Sequence, residues 1–323
     1  MSETGRIVFL GTPEFAVPLL RTLAESEHEV AGVVSQPDRP VGRKRVSVPT
    51  PVKQAALELG LKVVQPERIR SEEAYAAITA WRPDVLITAA YGQLIPERLL
   101  RTARVAALNL HASLLPKYRG AAPIQRALMD GEAVTGVSVM TMVKAMDAGP
   151  VWAQAQLAIE PEETYGELGD RLAALGAHLL LATLPGVLSG TLTPIEQDAA
   201  MVTYAPRIER TDEWLDFRAS AVEVANKVRA LAPAPGASTR LGDQTLKVWQ
   251  ATPVVSAARG VAPGRVLEVG TRGILVACKD GGVWLMRVQA AGKNPLDGLA
   301  YARGRRDLVG RTFVSGTEAG ERV

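Results

Sequence analysis

Arg6-Ile7-Val8-Phe9-Leu10-Gly11-Thr12-Pro13 sets the pattern of the chain. An apolar run closed by glycine suits a buried strand. Thr12-Pro13 reads as an N-cap and a helix-starting proline, and Phe15-Ala16-Val17 with Leu19-Leu20 follow at helical spacing. The alternation then repeats. Val30 to Val34 reads as a second strand, Thr50-Pro51 opens a helix through Leu59 that Gly60 closes, and Ser71-Glu72-Glu73 starts another running to Trp81. Val85 to Ala90 and Val105 to Leu110 are a third and a fourth strand. Strands alternating with helices predict an α/β domain, Rossmann-like, with a mainly parallel sheet covered on both faces. Ligands of such a sheet belong at the carboxyl ends of its strands.

Val137 to Val143 and Val151 to Ile159 read as two more strands around a loop at 144–150, and Thr164 to Leu184 as a long helix. Residues 186–206 return repeatedly to Gly, Pro and Thr, the composition of a linker. Beyond them the pattern changes. One helix is expected at Ala219–Leu231. Thr245–Trp249, Gly264–Val269, Gly273–Cys278 and Val283–Gln289 read as short strands between Gly-rich turns, which predicts a small C-terminal β-barrel (OB-like).

Composition narrows the function classes. The 323 residues are 47% hydrophobic and 22% charged, as in ordinary globular proteins. The single cysteine, Cys278, excludes an intramolecular disulfide scaffold and reads as a small buried hydrophobe. No uninterrupted apolar run reaches the roughly 18 residues of a membrane span, and no apolar stretch follows Met1 as in a signal peptide. Residues 1–206 hold 19 Lys+Arg against 22 Asp+Glu, whereas 207–323 hold 18 against 12. A polyanion bound by the C-terminal part would account for that asymmetry, as would plain solubility.

Several chemistries lack their residues. Gly11-Thr12-Pro13 is not Gly-x-Gly-x-x-Gly, and Pro13 removes an N–H that a pyrophosphate would use. Three scattered histidines and one cysteine offer no metal-ligand spacing, so no metal is expected. His28, before a strand, is expected at the solvent, and His178, within the long helix, in packing. What remains is Asn109-Leu110-His111. Two apart on a strand, Asn109 and His111 point to one face. An amide and an imidazole side by side can donate to one oxygen, the arrangement that stabilises developing negative charge; a satisfied core histidine is the alternative. Asp147, in the turn Lys144 to Pro150, could reach the imidazole and set its tautomer or charge. These three with no nucleophile suit direct acyl transfer between two bound substrates. Gln36-Pro37-Asp38-Arg39-Pro40-Val41-Gly42-Arg43-Lys44-Arg45 is a second feature. Arg43, Lys44 and Arg45 suit phosphate contact, or form a solvated basic turn.

Over nearly its full length the sequence resembles the methionyl-tRNA formyltransferases, a family of folate-dependent formyltransferases. The likeness rests on Phe9 to Ala16, Gln36-Pro37-Asp38-Arg39-Pro40 with Gly42-Arg43, Pro51-Val52-Lys53 and Ala90-Tyr91-Gly92. It continues with Asn109-Leu110-His111, Ser113 to Gln125, Val276-Ala277-Cys278, Asp280-Gly281 and Gln289 to Lys293. The resemblance implies formyl transfer from 10-formyltetrahydrofolate, as co-substrate, to the amino group of initiator methionyl-tRNA. It implies a catalytic Asn109, His111 and Asp147, a folate-binding Ser113-Leu114-Leu115-Pro116, and tRNA contacts at Arg43, Lys44 and Arg45. The expected organisation is a catalytic domain at 1–189, a linker at 190–206, a tRNA-binding barrel at 207–315 and a tail at 316–323, in a cytoplasmic, bacterial-type monomer. Three rivals stay open: a sugar-nucleotide or purine-pathway amine as acceptor, hydrolysis of formyl-folate, and a non-enzymatic tRNA-binding module.

Overall fold

The opening run forms β1 (Arg6–Gly11), followed by α1 (Val17–Ala24), β2 (Glu29–Val34), the short pair β3 (Arg39–Val41) and β4 (Val46–Val48), α2 (Pro51–Glu58), β5 (Val63–Val64), α3 (Glu72–Ala80), β6 (Val85–Ala89), α4 (Glu97–Leu100) and β7 (Ala106–His111). Then come α5 (Pro123–Met129), β8 (Val134–Thr141), β9 (Val151–Ala158) and α6 (Tyr165–Ser189). The C-terminal part holds α7 (Ala221–Ala230), β10 (Ala237–Leu241), β11 (Gln244–Val254), β12 (Val266–Gly270), β13 (Gly273–Ala277), β14 (Gly282–Ala290), β15 (Leu296–Asp297), α8 (Gly298–Arg303) and β16 (Phe313–Val314). The structure is a computed structural model and describes residues 4–41, 46–254, 260–305 and 307–315. The described residues fall into two compact units, one from 1–120, 134–158 and 169–205, the other from 121–133, 159–168 and 206–323.

The first unit is built on a seven-stranded sheet ordered β5-β2-β1-β6-β7-β8-β9. Five strands are parallel and the β8–β9 edge is antiparallel. Val8, Leu10, Leu86 and Ala107 pack on one face with Ala74 and Ile78 of α3, while the alternate residues Ile7, Phe9 and Ile87 are buried on the other. Burial on both faces is what continuous apolar strands require. Strand order reverses between β1 and β6, the kind of point at which ligands of such sheets bind. At that point the Thr12 hydroxyl donates to the Tyr91 carbonyl at 2.8 Å. Thr12 therefore caps no helix. A 3-10 turn at Glu14–Ala16 intervenes, and α1 begins only at Val17. Thr50 and Ser71 do cap α2 and α3, each accepting from the N–H three residues on.

His28 departs from its expected place at the solvent. It is 6% exposed, its Nδ1 accepts the Gly5 N–H at 3.1 Å, and burial pushes its pKa down. His178 is exposed and donates to the Ala174 carbonyl one turn back. Helix α6 runs past Leu184 to Ser189 with Pro185 inside it; so near the end, the missing N–H costs a single helical bond. It is the one helix among the described residues long and apolar enough to cross a membrane, and it buries Leu172, Ala177, Leu180 and Leu184.

In the second unit β12-β13-β14-β11-β10-β16 form an antiparallel sheet, with β15 beside β14. Its ends meet: the Val266 N–H donates to the Arg311 carbonyl and the Phe313 N–H to the Gly264 carbonyl, both at 2.8 Å. The sheet thus curls into the expected barrel-like form around Val248, Ile274, Val276, Leu285 and Phe313. Helix α7 closes over this core, started by a capping box in which Ser220 and Glu223 bond each other's backbone N–H. β10 and β16 carry no strong period in the sequence, and β11 runs five residues past Trp249.

Cys278 sits in this core, 1% exposed, and burial pushes its thiol up to about 12. The folded chain holds that proton more tightly than the unfolded one. Stability is therefore expected to fall as pH rises through the ordinary thiol value toward 12. At pH 8 a disulfide reagent should leave the native protein untouched and titrate one thiol after unfolding in guanidinium. A native reaction at the rate of free cysteine would contradict this burial.

Candidate active site

β7 carries the first two candidates. Ala107, Asn109 and His111 alternate with Leu108 and Leu110 and share the face opposite Leu110, which packs against Gly176 of α6. β6 lies alongside, in parallel register Thr88↔Asn109. The Thr88 hydroxyl donates to Asn109 Oδ1 at 2.7 Å, and that bond orients the amide. Asn109 Nδ2 then has no protein partner among the described residues and is not sealed off as a buried orphan. A primary amide held by its oxygen, with both N–H bonds open, is a preorganised donor.

His111 is 6% exposed and equally constrained. Its Nε2 lies 2.9 Å from the Tyr118 carbonyl. A carbonyl only accepts, so Nε2 carries a proton. Nδ1 is thus the atom whose protonation can change. It faces Asp147 Oδ2 at 3.8 Å, within ion-pair reach but too long for a hydrogen bond. Asp147, with 18% of its side chain exposed, is fixed by the Gly120 N–H, which donates to Oδ2 at 2.9 Å. The structure therefore brings His111 and Asp147 together, with Asn109 on the same strand face.

Two turns hold this arrangement in unusual backbone. Tyr118 has φ +60° and Asp147 φ +50°, the left-handed region that non-glycine residues rarely occupy. Tyr118 is pinned from the far side: its N–H donates to Thr203 Oγ1 at 2.8 Å, and the Arg119 N–H to the Thr203 carbonyl at 2.9 Å. The Ala205 N–H returns a bond to the Arg119 carbonyl at 2.7 Å. Residues 190–205, linker-like in composition, lie here as a strap bonded to the first unit.

Of the segment Ser113-Leu114-Leu115-Pro116, Ser113 and Leu115 are buried and their polar groups are used internally. Ser113 Oγ donates to the Lys117 carbonyl, Ser138 Oγ donates to the Ser113 carbonyl and accepts the Leu115 N–H, and Gln154 Nε2 donates to the Leu115 carbonyl. Leu114 and Pro116 are half-buried, and the Leu115–Pro116 bond is cis. The loops carrying Tyr91 and Asp147 leave Leu94, Val143 and Met146 exposed. Arg43, Lys44 and Arg45 lie outside the described residues. The hairpin base before them is anchored, because Asp38 receives Lys53 Nζ at 2.5 Å and Gln65 Nε2 at 2.6 Å, and these bonds hold its carboxyl below the usual range. Among the described residues no group of three His, Cys, Asp or Glu could hold a metal ion.

Thr88, Tyr118, Gly120 and Thr203 were not legible as site residues. Thr88 had a signal: it is the one hydroxyl in an otherwise apolar strand. The other three act through main-chain groups or from a distant segment and leave no local pattern.

The chain is similar to known formyl transferases. A profile for formyl transferase matches residues 5–184, and one for the formyl transferase C-terminal domain matches 207–306. A methionyl-tRNA formyltransferase of Macrococcus caseolyticus is 42% identical over 96% of this chain and 99% of its own length. One of Bacillus subtilis is 44% identical over 93% and 94%. HypX from Aquifex aeolicus, solved with tetrahydrofolic acid, superposes with a TM-score of 0.65 at 20% identity over 95% of this chain, which spans about half of that structure (48%). The sugar formyltransferase WlaRD, solved with dTDP and 5-N-formyl-THF, gives 0.61 at 18% identity over 90% of this chain and 100% of its own.

Gly120 offers a direct test of the packing. Its φ is +132°, and a Cβ there would lie 2.5 Å from the Ala205 carbonyl oxygen. Gly120→Ala is expected to destabilise the protein by about 2–4 kcal/mol, read as a lowered urea midpoint. A midpoint equal to wild type would mean that the strap does not press on this turn.

Proposed function

Since the chain belongs to the formyl transferase family, we propose that it transfers the formyl group of 10-formyltetrahydrofolate to the free amino group of initiator methionyl-tRNA. The product is N-formylmethionyl-tRNA for translation initiation. The observation that carries this reading is the convergence of Asn109, His111 and Asp147, which supplies a donor and a proton-bearing pair and needs no enzyme nucleophile. 10-Formyltetrahydrofolate supplies the one-carbon unit, and the segment Ser113-Leu114-Leu115-Pro116 would bind it.

The roles follow from atom positions. Asn109 Nδ2 meets the formyl oxygen as the amine attacks and charge grows there. His111 adds a second donor when Nδ1 is protonated, since Nε2–H is already spent on Tyr118. Asp147 stabilises the imidazolium across from Nδ1, and a water beside the pair carries the amine proton toward the leaving nitrogen. The catalytic role is assigned to 1–189, joined through 190–206 to a tRNA-binding domain at 207–315. Arg43, Lys44, Arg45 and the excess positive charge of the C-terminal part clamp phosphates. We assign the protein to a bacterial-type cytoplasm, as a monomer working off the membrane.

The reading is tested by incubating the protein with 10-formyltetrahydrofolate and charged initiator tRNA and measuring formylmethionine; formate released without the amine would favour hydrolysis instead. Asn109→Ala, His111→Ala and Asp147→Ala are each expected to lower kcat by about 10²–10³. Thr88→Val, which frees the amide to turn, should cost about tenfold. Near-normal turnover of His111→Ala would defeat the assignment. The apparent affinity for tRNA should weaken steeply between 50 and 200 mM salt, by about a decade or more, with a smaller salt slope in Arg43→Ala. A salt-independent KM for tRNA would remove the electrostatic clamp.

A further inference from the structure

Gln197 lies in the strap, 50 residues after Asp147 and 78 after Arg119 in sequence. Its amide is fully engaged. Nε2 donates to the Asp147 carbonyl at 2.8 Å and to the Gly149 carbonyl at 2.7 Å. Oε1 accepts from Arg119 Nε at 3.0 Å and Nη2 at 2.7 Å. Two N–H donors and two lone pairs are all that a primary amide has, so this side chain is a four-way joint.

What it joins is specific. Arg119 stands between Tyr118, whose carbonyl fixes the Nε2 proton of His111, and Gly120, whose N–H fixes the Asp147 carboxylate. Asp147 and Gly149 belong to the turn that carries that carboxylate. One side chain thus ties together the two turns that orient His111 and Asp147, both built around a left-handed non-glycine residue that relaxes unless held. None of these four bonds is needed to build the sheet or to cover its core.

We propose that Gln197 is a positioning residue for formyl transfer: by bonding the main chain of the Asp147 turn and the side chain of Arg119, it keeps the carboxylate opposite His111 Nδ1 without touching either substrate. This rests on the formyl-transfer reading above. It assigns to the segment between the two sequence domains a part in the chemistry of the first.

Two substitutions separate the arms. Gln197→Glu keeps an acceptor for Arg119 and sets a carboxylate oxygen against the Asp147 and Gly149 carbonyls. Gln197→Met keeps the length and removes all four bonds. Each is expected to lower kcat about tenfold, with KM for formyl-folate and for aminoacyl-tRNA within about twofold. In an Asp147→Asn background Gln197→Glu should cost less than about twofold, because two residues acting as one unit are not additive. Melting temperatures of all variants are measured alongside, and if Gln197→Glu unfolds below the assay temperature the same cycle is run with Gln197→Met. A folded Gln197 variant with wild-type kcat would overturn the proposal, and so would losses that multiply in the double variant. Failure of the underlying reading is seen separately, as absence of formylmethionyl-tRNA with the wild-type protein, and it would take this proposal with it.

Discussion

The Tyr118 carbonyl decides what His111 can do. By accepting the Nε2 proton at 2.9 Å it fixes the ring plane and leaves Nδ1 as the single variable position. A histidine with both nitrogens open could rotate and shuttle protons through either one. This one exposes a defined edge to a carboxylate 3.8 Å away, a gap in which charge is felt but no proton is shared. The interaction depends on a tyrosine in left-handed backbone, which in turn depends on Thr203, 85 residues further along. The chemistry of β7 is therefore set by residues that belong to no sheet.

This dependence explains what the sequence could and could not reveal. β1, β6 and β7 were readable because burial on both faces demands unbroken apolar runs, and Asn109 and His111 stood out because they interrupt one. Thr50 and Ser71 were readable as caps because a cap bonds within one turn of itself. Thr12 carries the same signal, yet its hydroxyl goes to the Tyr91 carbonyl, a partner 79 residues away that local reasoning cannot see. His28 shows the same limit: its place before a strand suggests the solvent, but the Gly5 N–H gives its Nδ1 a partner inside. The composition of 190–205 is silent on its bonds for a related reason. Gly, Pro and Thr are as common in a strap that must bond irregularly as in a free connection, and only its partners tell the two apart.

Asp147 shows how strain and connection are matched. A carboxylate on an ordinary β-turn would keep its freedom to rotate and would be held near the imidazole only by attraction, which solvent weakens. Here the residue sits at φ +50°, a conformation costing roughly 1–3 kcal/mol on its own. That conformation delivers Oδ2 to the Gly120 N–H, and a bond from a backbone donor to an ionised acceptor contributes about 1.5–3 kcal/mol. The two magnitudes are comparable, so the Gly120 N–H offsets the strain of the turn, alongside the Gln197 bonds to the Asp147 and Gly149 carbonyls. Ala205 passes against Gly120 with no room for a Cβ. The carboxylate is thus located by a closed circuit of main-chain contacts through 118–120, 147–149 and 197–205. A break at any point would release the acid from the histidine while leaving the seven-stranded sheet intact.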